Sequence, residues 1–348
     1  MRRLLTGLLL LCTALTIGLA GPIAAPARAD TTSPSYAPLN RPGPQLSVPA
    51  ATLNAALSCH GNPKAGPQPI LLSPATSVTP VENYSWNWAK IFAQQGRYHC
   101  LVTMPFHTVG DIQVAAEYHV NAIRTMYQRT GRKIAILGHS QGGMNPRWAL
   151  RFWPDVRAKV AEVIGMAPSN HGTVVLAGCV VGLTTCAPAI WQQRAGSEFM
   201  KALNSGAETF AGIDYTSIYT KLDEVVVPPP SSGLTTGAGN KANVAVQDVC
   251  KGDPYEHVLM GTVSPAVYAA VTDALNNAGP AKLTRIDRSW CSKLFMPGIN
   301  PLDLLSFAPV LSALPNLLLT VAPNVTLTGA PMLPKEPALR CYVYAAGC

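Results

Sequence analysis

Among the residues of this chain that could do chemistry, a serine between two glycines is the most informative. Ser140 is the centre of the pentapeptide GHSQG at 138–142, which follows the apolar run Ile134–Leu137. A run with mixed helical spacing, from Met144 to Val156, comes directly after it. A G-x-S-x-G sequence between a strand and a helix is typical of a sharp turn that lifts the serine hydroxyl above the sheet edge. The pattern predicts a nucleophilic serine and acyl transfer through a serine ester.

A serine hydroxyl is a weak nucleophile at neutral pH, so a histidine must take its proton and a carboxylate must orient that histidine. On a strand–turn–helix site of this kind the chain order is serine, acid, histidine. Only His171 and His257 follow Ser140. His171 lies directly past the next strand, and no acid from a later strand precedes it. His257 lies in a loop between a predicted strand and a predicted helix, so it is the candidate base.

The candidate acid is Asp223, which follows the predicted strand Ser217–Tyr219 and precedes an apolar stretch. A carboxylate directly beyond the end of a strand can be buried against an imidazole. Glu224 is the alternative, although neighbouring side chains point in different directions. Asp248 and Asp253 are weaker rivals that lie close to His257 in the sequence.

The oxyanion of a tetrahedral intermediate needs two hydrogen-bond donors. One is the backbone N–H of the residue after the nucleophile, which here is Gln141. The other should come from the loop after an early strand. Thr76 follows the predicted strand Ile70–Ser73 and offers both a backbone N–H and a hydroxyl. A turn with only local hydrogen bonds is the alternative interpretation of this threonine.

Strand and helix patterns alternate along the chain, which predicts an α/β fold: a mostly parallel central sheet with helices on both faces. Besides the segments above, we predict strands at Cys100–Met104, Val163–Ala167 and Val244–Val249, and helices at Trp86–Gln95, Gly110–Arg129 and Val267–Leu275. The stretch Pro301–Val321 is strongly apolar and is interrupted by prolines. It is interpreted as a pair of core helices or as an apolar flap near an active-site entrance.

The N-terminus has the pattern of a secretory signal, with arginines, an apolar run and a small-x-small cleavage site ending at Ala29. A membrane anchor is the alternative, but the apolar run is short for a span. We therefore expect a leader over 1–29, a Pro/Ser-rich arm over 30–50, and a single catalytic domain over 51–348 that is secreted as a monomer. The net charge of +8 is not organised into basic clusters with interleaved aromatics. This argues against nucleic acid as a partner.

Nine cysteines are present, and one of them, Cys12, lies in the leader. An even number of remaining cysteines in an exported protein predicts four disulfides. We favour the pairs that are adjacent in sequence: Cys59–Cys100, Cys179–Cys186, Cys250–Cys291 and Cys341–Cys348. No C-x-x-C pair is present, so we expect neither a zinc site nor any other metal or cofactor.

Taken together, these residues resemble the secreted lipase B family of Candida antarctica and its bacterial relatives. The resemblance covers roughly residues 54–300. It is carried by matches at Pro69–Leu72, Pro74, Thr76, Asn121–Ile123, Ser140–Gly143, Ala167–Pro168, Gly172–Val174, Leu176–Gly178, Ala187–Pro188, Trp191–Gln193, Tyr219, Asp223–Glu224 and His257.

The resemblance implies an α/β-hydrolase fold and a triacylglycerol lipase or carboxylesterase that needs no metal. Its triad would be Ser140, Asp223 and His257, with oxyanion donors at Thr76 and Gln141. The substrate would be an ester or a lipid, met in some cases at an oil–water interface. The family also has cysteines that match the pairs Cys59–Cys100 and Cys250–Cys291. An acyltransferase or polyester depolymerase that uses the same triad, and a non-catalytic lipid-binding or envelope-binding protein, are the alternative functions.

Three departures from the family pattern stand out. His139 replaces a tryptophan that shapes the alcohol side of the family's pocket, and Ser169 replaces an aspartate. Cys179 and Cys186 lie inside the segment that matches the family's short mobile lid. A disulfide there would restrict the motion of that segment.

Overall fold

A seven-stranded sheet forms the centre of the structure, a computed structural model that describes residues 35–299, 324, 326 and 328–348. The strand order is β1-β3-β2-β4-β5-β6-β7. All neighbours are parallel except β1, which is antiparallel to β3. The strands are β1 (Leu57–His60), β2 (Ile70–Ser73), β3 (His99–Val102), β4 (Ile134–His139), β5 (Val160–Met166), β6 (Asp214–Tyr219) and β7 (Asn240–Ala245).

Helices cover both faces of this sheet. They are α1 (Ala50–Ala55), α2 (Pro80–Tyr84), α3 (Trp88–Gln94), α4 (Ile112–Thr130), α5 (Gln141–Phe152), α6 (Pro188–Gln192), α7 (Glu198–Leu203), α8 (Val246–Val249), α9 (His257–Thr262) and α10 (Pro265–Asn276). Successive strand residues point to opposite faces. Leu71 and Ile136 pack with α4 and α5, whereas Leu72 and Leu137 pack with α3 and α10. The predicted mostly parallel sheet with helices on both faces is confirmed.

The longest helix, α4, shows why the local sequence folds as it does. The Asp111 side chain accepts a hydrogen bond from the backbone N–H of Gln113 and so caps its first turn. Gly131 ends the helix with a φ of 70°, a conformation that glycine adopts without a steric penalty. The predicted helix Gly110–Arg129 therefore lies within two residues of the observed bounds.

Two edge elements differ from the prediction. The predicted strand Val244–Val249 is wrong in its last four residues, because β7 ends at Ala245 and α8 follows. Ala245 pairs with Tyr219, the last residue of β6, so the neighbouring strand ends at that point. The strand β1 was not predicted. It is a half-exposed edge strand with little apolar signal, and Cys59 lies directly opposite Cys100 on β3, to which it is bonded.

Four disulfides link segments of the described chain: Cys59–Cys100, Cys179–Cys186, Cys250–Cys291 and Cys341–Cys348. They are the sequence-adjacent pairs favoured from the cysteine spacing. In the described ranges, no helix is both long and apolar enough to cross a bilayer.

A buried glutamate on α4 ties both ends of the described chain to the domain. Glu117 accepts hydrogen bonds from the backbone N–H groups of Ser47 and Val48, from the Ser47 hydroxyl, and from Arg340 at 2.9 Å. Nearby, the backbone N–H of Ala37 donates to the Val343 carbonyl. The division into leader, arm and catalytic domain stays a prediction, and the apolar stretch Pro301–Val321 lies outside the described residues.

A second buried glutamate lies near the amino end of β5. Glu162 pairs in register with Asp214, and its Oε1 has no hydrogen-bond partner among the described residues. Burial, and after it the nearby Asp214 charge, raise the pKa of Glu162 to about 8, although Arg97 opposes the shift. Ionisation of this carboxyl therefore destabilises the fold. The stability that the protonated form contributes is lost as the pH rises from the ordinary pKa of 4.5 to about 8, and the loss levels off above that pH.

Replacing Glu162 by Gln removes this titration. We expect the free energy of unfolding of Glu162→Gln, relative to wild type, to rise by on the order of 3 kcal/mol between pH 5 and pH 8. Urea unfolding at several pH values measures this. Glu198→Gln, an exposed site, is the matched control and should show little pH dependence. A difference for Glu162→Gln that stays constant with pH would contradict the expectation.

Candidate active site

The turn between β4 and α5 holds Ser140 in a strained conformation. Its φ is 53° and its ψ is −124°, in a region that residues other than glycine rarely occupy. A Cβ on Gly138 would lie 2.0 Å from the Gly142 carbonyl oxygen, and one on Gly142 would lie 2.0 Å from the Ser73 carbonyl oxygen. Only glycine fits at both positions. This explains the pentapeptide and places the serine beyond the carboxyl end of β4.

The candidate acid and base are in direct contact. The Nδ1 of His257 lies 2.9 Å from Oδ1 and 3.0 Å from Oδ2 of Asp223. The backbone N–H groups of Val225 and Val226 also donate to Oδ1, so the carboxylate is fixed in position. Both side chains are buried. Because the carboxylate accepts, Nδ1 carries the proton, and the Nε2 of the neutral ring keeps its lone pair for a serine proton.

His257 lies against the residue that precedes Ser140. The ring centroids of His139 and His257 are 5.4 Å apart, with an angle of 31° between the planes. The Nε2 of His139 donates to the His257 carbonyl at 3.0 Å. Residues from three distant parts of the sequence therefore meet at one edge of the sheet.

The rival acids and the second histidine make other contacts. Glu224 accepts from the backbone N–H of His257 at 3.4 Å, and no contact of its carboxylate with the imidazole is recorded among the described residues. Asp253 accepts from Ser264, and Asp248 forms an exposed ion pair with Lys221. His171 is bonded to Glu208. The geometry favours Asp223 as the partner of His257.

The two candidate oxyanion donors lie side by side. Gln141 is the first residue of α5, so its backbone N–H has no acceptor inside the helix. The Thr76 hydroxyl donates to Oε1 of Gln141 at 2.8 Å. The side-chain amide of Gln193 donates to that same Oε1 at 3.1 Å and to the Thr76 hydroxyl at 3.2 Å. The residue type of Gln193 does not indicate a role in the site, and the only sequence signal is its place in the Trp191–Gln193 match to the family.

Burial shifts the pKa values of two ionisable groups near the candidate base, His139 and Glu256. Burial, and after it the neighbouring His257, lower the pKa of His139 to about 3. Glu256 caps α9, because its carboxylate accepts from the backbone N–H groups of Val258 and Leu259. Burial raises the pKa of Glu256, against these hydrogen bonds. In the described part of the chain, no group of three or more His, Cys, Asp or Glu residues could hold a metal ion.

The sheet order and the serine turn after its central strand are those of an α/β-hydrolase fold. The solved lipase B of Aspergillus fumigatus has this architecture in common with the chain, with a TM-score of 0.76 and 28% sequence identity. That similarity covers 89% of this chain and 76% of the other.

Residues 112–263 match the lipase (class 2) family. The curated lipase B of Pseudozyma antarctica is 36% identical over 211 residues, which are 60% of this chain. The match spans 61% of the length of that relative. The chain is thus similar to lipase B proteins in sequence as well as in fold.

Replacing the candidate acid tests the contact with His257. We expect Asp223→Asn to remain folded and to lower kcat for a soluble ester by on the order of 10⁴, because an amide no longer fixes and stabilises the imidazole. Glu224→Gln is the matched control, since its amide oxygen still accepts from the His257 backbone, and it should stay within about threefold of wild type. Steady-state kinetics and thermal unfolding of both variants measure this. A large loss of kcat in Glu224→Gln together with a near-normal kcat in Asp223→Asn would instead identify Glu224 as the acid.

Proposed function

We propose that this protein is a secreted serine ester hydrolase, a triacylglycerol lipase or carboxylesterase that works through an acyl-enzyme. The observation that carries the proposal is the buried hydrogen bond between His257 and Asp223, next to a strained serine turn. The similarity to lipase B proteins supports it. The bacterial origin of the chain and its monomeric state stay predictions.

In the proposed reaction, the Ser140 hydroxyl oxygen attacks the ester carbonyl while Nε2 of His257 takes the hydroxyl proton. The negative charge that develops on the carbonyl oxygen is held by the backbone N–H of Gln141 and by donors of Thr76. His257 then gives its proton to the departing alcohol, and the acyl group stays on Ser140. A water molecule, deprotonated by His257, releases the acid and restores the serine.

The exposed apolar side chains of one loop favour a substrate ester that has an apolar acyl chain. The side chains of Val180, Val181 and Leu183 are exposed, Leu183 by 80%. The loop is closed by the Cys179–Cys186 disulfide, and backbone hydrogen bonds join Cys186 to Leu333 in both directions. Exposed apolar residues on such an anchored loop are suited to contact with a lipid surface.

The segment before that loop is hydrogen-bonded to the residues that follow the candidate acid. The Thr173 hydroxyl donates to the Val225 carbonyl, and the backbone N–H of Val174 donates to Val227. Leu222, next to the candidate acid, is itself 53% exposed. Exposed apolar side chains therefore lie both on the loop and beside the candidate acid. The four disulfides support export to an oxidising compartment.

An ester panel tests the proposal. We expect hydrolysis of p-nitrophenyl esters and of emulsified triacylglycerol, and Ser140→Ala should lower kcat by on the order of 10⁶ because the nucleophile is gone. Ser289→Ala, an exposed serine, is the control and should leave the rates unchanged. A preference for short chains would identify a carboxylesterase, and activity on the emulsion would identify a lipase. Undiminished hydrolysis by Ser140→Ala would overturn the proposal.

A further inference from the structure

His139, the last residue of β4, is buried and uses both of its ring nitrogens. Its Nε2 lies 3.0 Å from the carbonyl oxygen of His257, and its Nδ1 lies 3.3 Å from Nδ2 of Asn83. A carbonyl can only accept, so Nε2 carries the hydrogen. An amide nitrogen can only donate, so Nδ1 accepts. These two contacts select one neutral tautomer.

The orientation of the Asn83 amide is fixed independently. Its Oδ1 accepts from the backbone N–H of Ala75 at 2.9 Å, so its Nδ2 must face His139. Ala75 directly precedes Thr76, the candidate oxyanion donor. A continuous chain of hydrogen bonds therefore runs from the loop that carries Thr76, through Asn83 and His139, to the backbone of His257.

The helix that begins with the candidate base also packs on the His139 ring. A Cβ on Gly261, which lies one turn after His257 in α9, would be 2.4 Å from both Cδ2 and Nε2 of His139. The glycine leaves the space that the ring fills. The Gly261 carbonyl accepts from the Trp88 indole at 2.9 Å, so this end of α9 is held from a second side. The ring thus contacts α9 both at the His257 carbonyl and at Gly261.

We propose that His139 is a positioning residue, which holds the candidate base and the oxyanion loop at a fixed separation through its two hydrogen bonds. The inference rests on the proposed ester hydrolysis and adds a residue to its machinery. Proton transfer to a serine depends on the placement of the imidazole, and a displacement of about 1 Å can cost on the order of 100-fold in rate.

His139 does not itself carry a proton in the reaction. Both ring nitrogens are occupied, and its pKa is lowered to about 3 by burial and by His257. The ring therefore stays neutral wherever His257 can act as a base. Its loss should lower the rate by the same factor at every working pH, whereas loss of a titrating group would give a factor that changes with pH.

Three substitutions of His139 distinguish the effect of its two hydrogen bonds from the effect of the packing of its ring. Phenylalanine keeps a ring and makes neither bond, glutamine offers a donor near the position of Nε2, and asparagine reaches only the position of Nδ1. We expect His139→Phe to lower kcat for a soluble ester by about 10- to 100-fold, with KM changed less than about threefold. His139→Gln, which keeps a donor for the His257 carbonyl and loses the bond to Asn83, should recover part of this loss, and His139→Asn should recover less.

The control is His99→Phe, the same substitution at a buried histidine. His99 is the first residue of β3, so it lies at the amino end of a strand, whereas Ser140 follows the carboxyl end of β4. This control substitution should leave kcat unchanged. A His139→Phe enzyme with wild-type kcat, a loss confined to KM, or equal losses in the Gln and Asn variants would overturn the positioning role. If the Phe variant does not fold, the Gln and Asn variants alone decide. Undiminished hydrolysis by Ser140→Ala would instead reject the proposed function, whatever the His139 variants do.

Discussion

The close approach of three backbone segments at the serine turn is the constraint on which the rest of the site depends. Gly138 and Gly142 are nearly in contact with each other, and Gly142 lies against the carbonyl of Ser73 at the end of β2. Because Thr76 follows β2 and Gln141 follows Ser140, this one contact brings the two candidate oxyanion donors together. The Tyr84 hydroxyl donates to the same Ser73 carbonyl and holds it from the other side. The geometry that strains the serine thus also brings the candidate oxyanion donors into place.

The base is positioned by a separate set of contacts that meet the first at His139. Asp223 fixes the imidazole of His257 through its ring, Glu256 fixes the start of α9, and His139 fixes the carbonyl. Asp223 and His139 are buried and Glu256 is half-buried, so little water competes for the hydrogen bonds that Asp223 and His139 make. An active site of this kind needs little reorganisation when charge develops on a bound ester.

Much of this arrangement could be predicted from the sequence, because local patterns carry it. The glycines around Ser140 signal the turn, and the order of serine, acid and histidine leaves His257 as the base. Contacts between segments that are distant in the sequence could not be predicted from local patterns. Asn83 and Gln193 give no signal of their own, since side-chain amides are common and only the fold brings these two to the site. The strand β1 was missed for a similar reason, because its pairing with β3 supplies the order that its half-exposed sequence does not.

Covalent labelling tests the central claim most directly, namely that Asp223 and His257 make one serine hydroxyl reactive. The native protein would be treated with an active-site phosphonate, followed by intact-mass measurement and peptide mapping. The account predicts a single adduct per chain, located on Ser140, whose formation is nearly abolished by His257→Ala. No adduct, an adduct on another serine, or equally fast labelling of His257→Ala would contradict it.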